Sequence, residues 1–150
     1  YGLGAGVAGS FGVVGCVGAL IAPVAGRTSD RRGSRIVISL SLASLALSWL
    51  AFWLLGHWIL GLVAGVVLLD LGCQANQIAN QTRIFGLMPS ARGRINTIFM
   101  TFYFVGGALG SILATQAWTR FGWNGVCLLG FLFVALSWLR HATGMKPRPA

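Results

Sequence analysis

The stretch Gly26-Arg-Thr-Ser-Asp30-Arg31-Arg32-Gly33-Ser34-Arg35 decides the fold, because it gathers four arginines and one of only two acidic residues of a very apolar chain. Long apolar segments flank it, residues 3–25 before and 36–55 after, and neither carries a formal charge. Each is long enough to cross a bilayer as a helix, which takes about 20 residues. The pattern predicts a short, tight loop at the cytoplasmic surface of a membrane, between two transmembrane helices.

The composition favours a membrane protein over a soluble one. Hydrophobic residues make up 56% of the 150 residues and charged residues only 9%, with a mean hydropathy of +0.79. A soluble domain carries about a quarter charged residues. The net charge of +9 does not indicate nucleic-acid binding, because the cations lie at the ends of apolar runs and not on a water-facing surface. We therefore expect an all-α, polytopic transmembrane helix bundle with no nucleic-acid partner.

Five apolar runs predict five transmembrane helices and a disordered cytoplasmic tail at residues 141–150. The helices are expected over residues 3–25, 36–55, 59–83, 95–118 and 123–139, which we number as spans one to five. A short turn around Phe121-Gly122 separates the last two. Since the chain starts at Tyr1 with no basic region before the first run, we expect a fragment whose earlier helices are missing.

Cations predict the orientation of these spans. With five crossings, ten of the eleven lysines and arginines fall on one side, and only Arg120 falls on the other. Cytoplasmic loops carry the excess of Lys and Arg. The amino end is therefore expected outside and the carboxy end in the cytoplasm, in a plasma or inner cell membrane. The lipid bilayer is the first expected partner.

Span three turns from apolar to strongly polar along its length. Asp70 lies eleven residues into it, about 17 Å along a helix and near the middle of a hydrocarbon core about 30 Å thick. At 100° per residue, two polar stripes form: Asp70, Gln74, Gln77 and Gln81 on one side, and Asn76, Asn80 and Arg83 on another. One stripe should line a water-filled cavity and the other should contact a neighbouring helix, and we assign the first to the cavity. Asp70 then either exchanges protons or is a structural hydrogen-bonding residue.

Rows of small residues predict helix-packing faces. One row is Gly18, Ala22 and Gly26, and another is Gly106, Gly110 and Ala114. Small residues allow close approach of backbones in lipid, although ligand contact is an alternative for the first row.

A faint internal repeat relates residues 18–33 to residues 107–122, with six identities in sixteen positions. Arg31 matches Arg120, and Gly33 matches Gly122. The two copies should cross the membrane in opposite directions, since one ends inside and the other outside. Inverted repeats of this kind are typical of transporter folds.

The spacing G-x-x-x-D-R-x-G-x-R resembles the signature loop of the major facilitator superfamily of secondary transporters. The match covers Gly26, Asp30, Arg31, Gly33 and Arg35, and it departs at Ser34, where the family often has a further basic residue. The resemblance extends along most of the chain, including residues 69–72, 80–83 and 106–110. It implies the carboxy-terminal half of a drug or sugar efflux carrier, with the five spans as helices eight to twelve.

This resemblance also implies a function and its residues. A small organic solute would move outward in exchange for protons, by rocking of two halves around a central site. That site would contain Asp70, Gln74 and Gln77, with Asn96 and Tyr103 as weaker contributors. Asp30 would pair with Arg83 to hold one conformation shut, unless the loop is only a positively charged anchor. The missing amino-terminal half of the same protein and a small-molecule substrate are the further expected partners.

Residue types argue against catalysis. The chain has no glutamate, no GxSxG nucleophile motif and no HExxH metal motif, so no enzyme, metal site or cofactor is expected. A non-transporting membrane scaffold or assembly subunit is the first alternative, because the small-residue rows would suffice for it. An intramembrane enzyme that takes polar groups from the missing part of the chain is the second.

Overall fold

The computed structural model describes residues 22–87 and 89–144. Helix α1 covers Ala22–Arg32, α2 covers Ser34–Leu55 and α3 covers Ile59–Phe85. A 3₁₀ turn, Pro89–Ala91, leads into α4, Arg92–Thr143. Helix α4 is broken at Gly122, whose backbone angles (φ 61°, ψ −149°) are not helical, and we call residues 92–121 its first arm and residues 123–143 its second arm. The described chain is an all-α bundle, as the sequence predicted.

Three of these helices are long and apolar enough to cross a membrane, by length and composition, within the described residues. They are Ser34–Leu55, Ile59–Phe85 and the segment Pro89–Thr143, which contains both arms. In lipid each backbone N–H and C=O must be bonded within its own segment, and a helix achieves this. Residues 1–21, which include most of span one, lie outside the described residues.

The predicted loop over residues 26–35 is wrong as local structure. Helix α1 continues through Arg32, and α2 begins at Ser34, so Gly33 alone separates them. Arginine is a good helix former and the stretch from residue 26 to residue 32 contains no proline, so its polarity marks a helix end in a polar environment and not a loop. Gly33 makes the sharp turn with φ 86° and ψ 141°, a conformation that L side chains rarely adopt. A hydrogen bond of 2.7 Å between the Ser29 and Ser34 hydroxyls joins the two helices across it.

The other helix ends also differ from the expected bounds. Helix α2 begins two residues before span two, α3 ends two residues after span three, and the first arm extends span four by three residues at each end. The second arm continues as a helix to Thr143. Residues 141–143, which we expected to belong to a disordered tail, are therefore helical. Residues 145–150 lie outside the described part of the chain.

Helices α2 and α3 form a tight antiparallel hairpin. Their connection is only three residues long, from Gly56 to Trp58, and the Trp58 N–H donates to the Leu55 carbonyl at 2.9 Å. Glycines of α3 make room for large side chains of α2 along the contact: a Cβ placed on Gly65 would overlap the Phe52 ring, and one on Gly72 would lie 2.8 Å from the Leu45 side chain. This packing lets the two backbones approach closely, which drives helix association in lipid.

The second arm packs antiparallel to α2. Near one end of the bundle the Trp123 indole N–H donates to the Phe52 carbonyl at 2.9 Å, and near the other end the Ser39 hydroxyl lies 2.9 Å from His141 Nε2. Between them, a Cβ on Gly130 would overlap the Trp49 ring. We call the end with Trp123 the aromatic end and the end with His141 the charged end.

Gly33 and Gly122 are the two glycines with positive φ in the described part of the chain. They are also equivalent positions of the repeat, and each separates two helices at a single residue. Gly33 lies at the charged end and Gly122 at the aromatic end, so the two copies run in opposite directions. The internal repeat is therefore visible in the backbone as well as in the sequence.

Candidate functional site

The first polar stripe of α3 faces the first arm of α4. The Gln81 amide donates to Asn96 Oδ1 at 3.2 Å, and the amides of Gln77 and Gln81 lie 3.9 and 3.7 Å from Met100 Sδ. Gln77 and Asn96, two of the expected site residues, therefore lie around one methionine. Close to the charged end, this stripe contacts a helix and does not line an open cavity.

Further from the charged end, the same antiparallel register leads to Asp70. Because Gln81 pairs with Asn96 and Gln77 with Met100, each step back along α3 matches an equal step forward along the arm. Continued unchanged, this register would bring Asp70 level with Gly107, where no atom lies within 4 Å of an added Cβ. Asp70 itself is half-buried.

The same register places Gln74 of α3 and Tyr103 of the first arm at the same height along the two helices. Gln74 is half-buried, and Tyr103 is 44% exposed with its ring 5.9 Å from that of Phe104. Neighbouring aromatic side chains of the first arm are even more exposed, with Phe102 at 73%. In a folded membrane protein such a surface contacts lipid or another helix. The central site remains a prediction, with Asp70 and Gln74 contributed by α3 and Tyr103 by the first arm.

The second polar stripe of α3 lines a cavity of about 550 Å³ at the charged end. Asn80 donates to the Asn76 carbonyl at 2.8 Å and to Asn76 Oδ1 at 3.0 Å, and the Ser41 hydroxyl of α2 donates to Asn76 Oδ1 at 3.3 Å. Arg83 lies on the rim. At this end of α3 the second stripe lines this cavity, and the assignment of the first stripe to a water-filled central cavity stays a prediction.

Asp30 and Arg83 are both exposed, and no ion pair joins them in residues 22–87 and 89–144. Arg83 instead shares the charged end with groups from α2 and the second arm. A smaller cavity of about 350 Å³ there is lined by Gly33, Ser34, Arg35, Arg83, His141 and Gly144. The expected pairing of Asp30 with Arg83 remains a prediction for another conformation.

The environment of His141 reflects this clustering of cations. His141 follows the apolar run that ends at Leu139, and the Arg35 and Arg83 side chains line the same small cavity as its imidazole. Its Nε2 lies 2.9 Å from the Ser39 hydroxyl.

The predicted packing rows find few partners in the described structure. Gly18 lies outside the described residues, Ala22 is the first residue of α1, and nothing lies within 4 Å of a Cβ added to Gly106 or Gly110. The glycines in close contact are others, including Gly65 and Gly130. The spacing Gly61-x-x-x-Gly65 was the available signal for the first of these, since it repeats the GxxxG pattern.

The side chains that usually bind metal ions are His, Cys, Asp and Glu, and few of them occur in this chain. No group of three or more His, Cys, Asp or Glu side chains is placed to hold a metal ion in the parts of the chain that the structure covers.

Comparison with known proteins gives the family. The profile described as Major Facilitator Superfamily matches residues 1–149. "Probable transporter SCO4007" of Streptomyces coelicolor is 37% identical over 147 residues, which cover 98% of this chain and 34% of that protein. "Uncharacterized transporter YgaY" of Escherichia coli O157:H7 is 48% identical over 69 residues, which cover 46% of this chain and 18% of that protein.

The chain thus spans about a third or less of the length of these relatives. No solved structure shows a significant match to it. The family match over nearly the whole chain agrees with the long apolar helices of a multi-pass membrane protein. The chain belongs to the major facilitator superfamily.

Proposed function

We propose that the complete protein is a secondary transporter that moves a small organic solute outward across the cell membrane in exchange for protons. This chain would supply helices eight to twelve of its carboxy-terminal half, in the drug or sugar efflux branch. Family membership and two relatives named as transporters support transport as the activity. The missing amino-terminal half would complete the central cavity.

The observation that carries the proposal is the position of Asp70. It lies eleven residues after the start of α3 and fifteen before its end, in a helix long and apolar enough to span a bilayer. An ionisable residue at such a depth is costly and usually marks an ion or substrate pathway. The space beside Gly107 would let Asp70 reach water and substrate when the two halves rock apart.

The decisive experiment compares Asp70→Asn and Asp70→Glu in the full-length protein. Proton movement would be recorded in inverted membrane vesicles with a pH-sensitive dye, while a panel of organic cations and sugars is added. We expect the Asn variant to lose substrate-driven proton release and the Glu variant to keep part of it. Proton-coupled transport that is unchanged in Asp70→Asn would remove this role and leave Asp70 as a structural residue.

A second part of the proposal concerns gating at the charged end. Asp30 would pair with Arg83 in the conformation that is closed on the cytoplasmic side, and release it in the conformation described here. Charge reversal tests this: Asp30→Arg or Arg83→Asp alone should abolish transport, and the double reversal should restore it. Failure of the double variant to recover any transport, with normal expression, would contradict the pair.

Orientation is proposed with the amino end outside and the charged end in the cytoplasm. Single cysteines at Arg31 and Ser90, in a background without the native cysteines, should react with an impermeant maleimide only from the cytoplasmic side. A cysteine at His57, in the exposed connection between α2 and α3, should react only from outside. Labelling of Arg31→Cys and Ser90→Cys from opposite sides would refute the topology.

A further inference from the structure

The cavity at the charged end combines an apolar interior with a cationic rim. Its apolar lining comes from α2, α3, the turn that follows α3 and the second arm: Ile38, Leu42, Ile84, Leu87 and Leu136. Arg83 and Arg140 lie on its rim together with His141. At about 550 Å³ it falls within the range of about 300–1,000 Å³ that is typical of small-ligand sites.

In the part of the chain that the structure describes, the positive charges of Arg83 and Arg140 meet no acidic side chain in the lining of this cavity. The two acidic residues of the chain, Asp30 and Asp70, lie elsewhere on α1 and α3. Several guanidinium groups around one space repel each other, and an anion between them relieves that repulsion.

The other polar side chains that line the cavity already have partners within the protein. Asn80 donates twice to Asn76, and the exposed Ser137 hydroxyl donates to the Phe133 carbonyl of its own helix at 2.8 Å. An incoming anion would therefore be held by the rim and not by the amides. Guanidinium groups bind phosphate oxygens with two parallel hydrogen bonds, which the Arg83 and Arg140 side chains could each supply.

We propose that this cavity binds a phosphate-bearing anion, whose phosphate contacts Arg83, Arg140 and His141. The site lies at the end of the bundle, where lipid headgroups are found, and it has an apolar lining that suits the first part of an acyl chain. The phosphate headgroup of an anionic membrane lipid is therefore the expected source, since basic pockets between membrane helices bind such headgroups. This site is separate from the space beside Asp70, and it does not depend on the transport proposal.

The test uses the full-length protein, purified in detergent and mixed with phosphatidylglycerol or phosphatidylcholine, with retained lipid counted by native mass spectrometry. Wild-type protein should retain phosphatidylglycerol in preference to phosphatidylcholine, and this comparison needs no variant. The double variant Arg83→Gln/Arg140→Gln should lose about 30-fold in affinity for phosphatidylglycerol. The matched control Arg94→Gln/Arg120→Gln removes the same charge from exposed positions that line neither cavity, and should retain the lipid as wild type does.

A parallel titration with inorganic phosphate, read as protection against thermal unfolding, distinguishes a soluble anion from a lipid headgroup as the source of the bound phosphate. Protection at millimolar concentration that the double variant loses would support the site and assign it to a soluble anion. Equal retention of the two lipids by wild type, together with no protection by inorganic phosphate, would overturn the proposal. A monodisperse Arg83→Gln/Arg140→Gln protein that retains phosphatidylglycerol as well as the control variant would overturn it equally.

Discussion

The two glycines of the signature stretch should respond in opposite ways to the same substitution. Gly33 has φ 86° and ψ 141°, and an alanine there would be forced into a sparsely populated region of backbone space. Such a residue costs about 1–3 kcal/mol. Gly26 lies inside α1, and nothing is within 4 Å of a Cβ added there. Alanine at a helix-interior glycine gains about 0.5–1 kcal/mol.

Gly33→Ala and Gly26→Ala should therefore differ by about 1.5–4 kcal/mol in the free energy of unfolding. Relative to wild type, Gly33→Ala should raise the unfolded fraction about 5- to 150-fold, because each 1.4 kcal/mol is a factor of ten. The Ser29–Ser34 hydrogen bond across the turn would also be disturbed, which adds to the cost.

The assay is reversible unfolding of the full-length protein in mixed micelles, with transport measured after the same protein is reconstituted into lipid vesicles. Equal stability of Gly33→Ala and wild type would refute the assignment of a strained turn to Gly33. Equal loss of stability in both variants would show that Gly26 is not an open helical position. Loss of transport by Gly26→Ala with intact stability would instead place Gly26 against the amino-terminal half of the protein.

Two further predictions concern the packing of the second arm. Trp123→Phe should lower the free energy of unfolding by about 0.5–1.5 kcal/mol, because it removes the hydrogen bond to the Phe52 carbonyl; differential unfolding in micelles checks this, and an unchanged value would contradict the bond. Gly130→Leu should abolish stable folding by driving a side chain into Trp49, as seen by loss of monodisperse protein in size-exclusion chromatography, whereas a well-folded variant would disprove the close contact.

Long helices and the polar stripe of α3 could be predicted because they depend on local sequence. Hydropathy over about 20 residues marks a helix that crosses lipid, and 100° per residue places Asp70 and Gln77 on one face. The repeat could also be detected in the sequence. Gly33 and Gly122, at equivalent positions of the repeat, both have a positive φ, which the sequence identities alone do not show. Composition was a poor guide at residues 26–32, since arginines continue a helix as readily as they form a loop.

The partners of each helix face could not be predicted in the same way. Gly106-x-x-x-Gly110 and Gly61-x-x-x-Gly65 are equivalent as local patterns, yet Gly65 lies against Phe52 while Gly106 and Gly110 have open space around them. Which stripe of α3 meets a helix and which meets a cavity is equally a property of the packing. Such choices depend on which surfaces are brought together from distant parts of the chain, and a single sequence does not encode them locally.

In the proposed transporter, the two acidic residues would separate coupling from gating along the membrane normal. At 1.5 Å per residue, Asp70 lies about 17 Å from one end of α3 and about 22 Å from the other, whereas Asp30 lies three residues before the turn at the charged end. Charge at the first position would act on whatever occupies the middle of the bundle. Charge at the second would act on the arginines at one surface, and so on the balance between two conformations. Neutralising Asp30 should therefore change the rate of transport while leaving the number of protons moved per solute intact, and neutralising Asp70 should change that number itself.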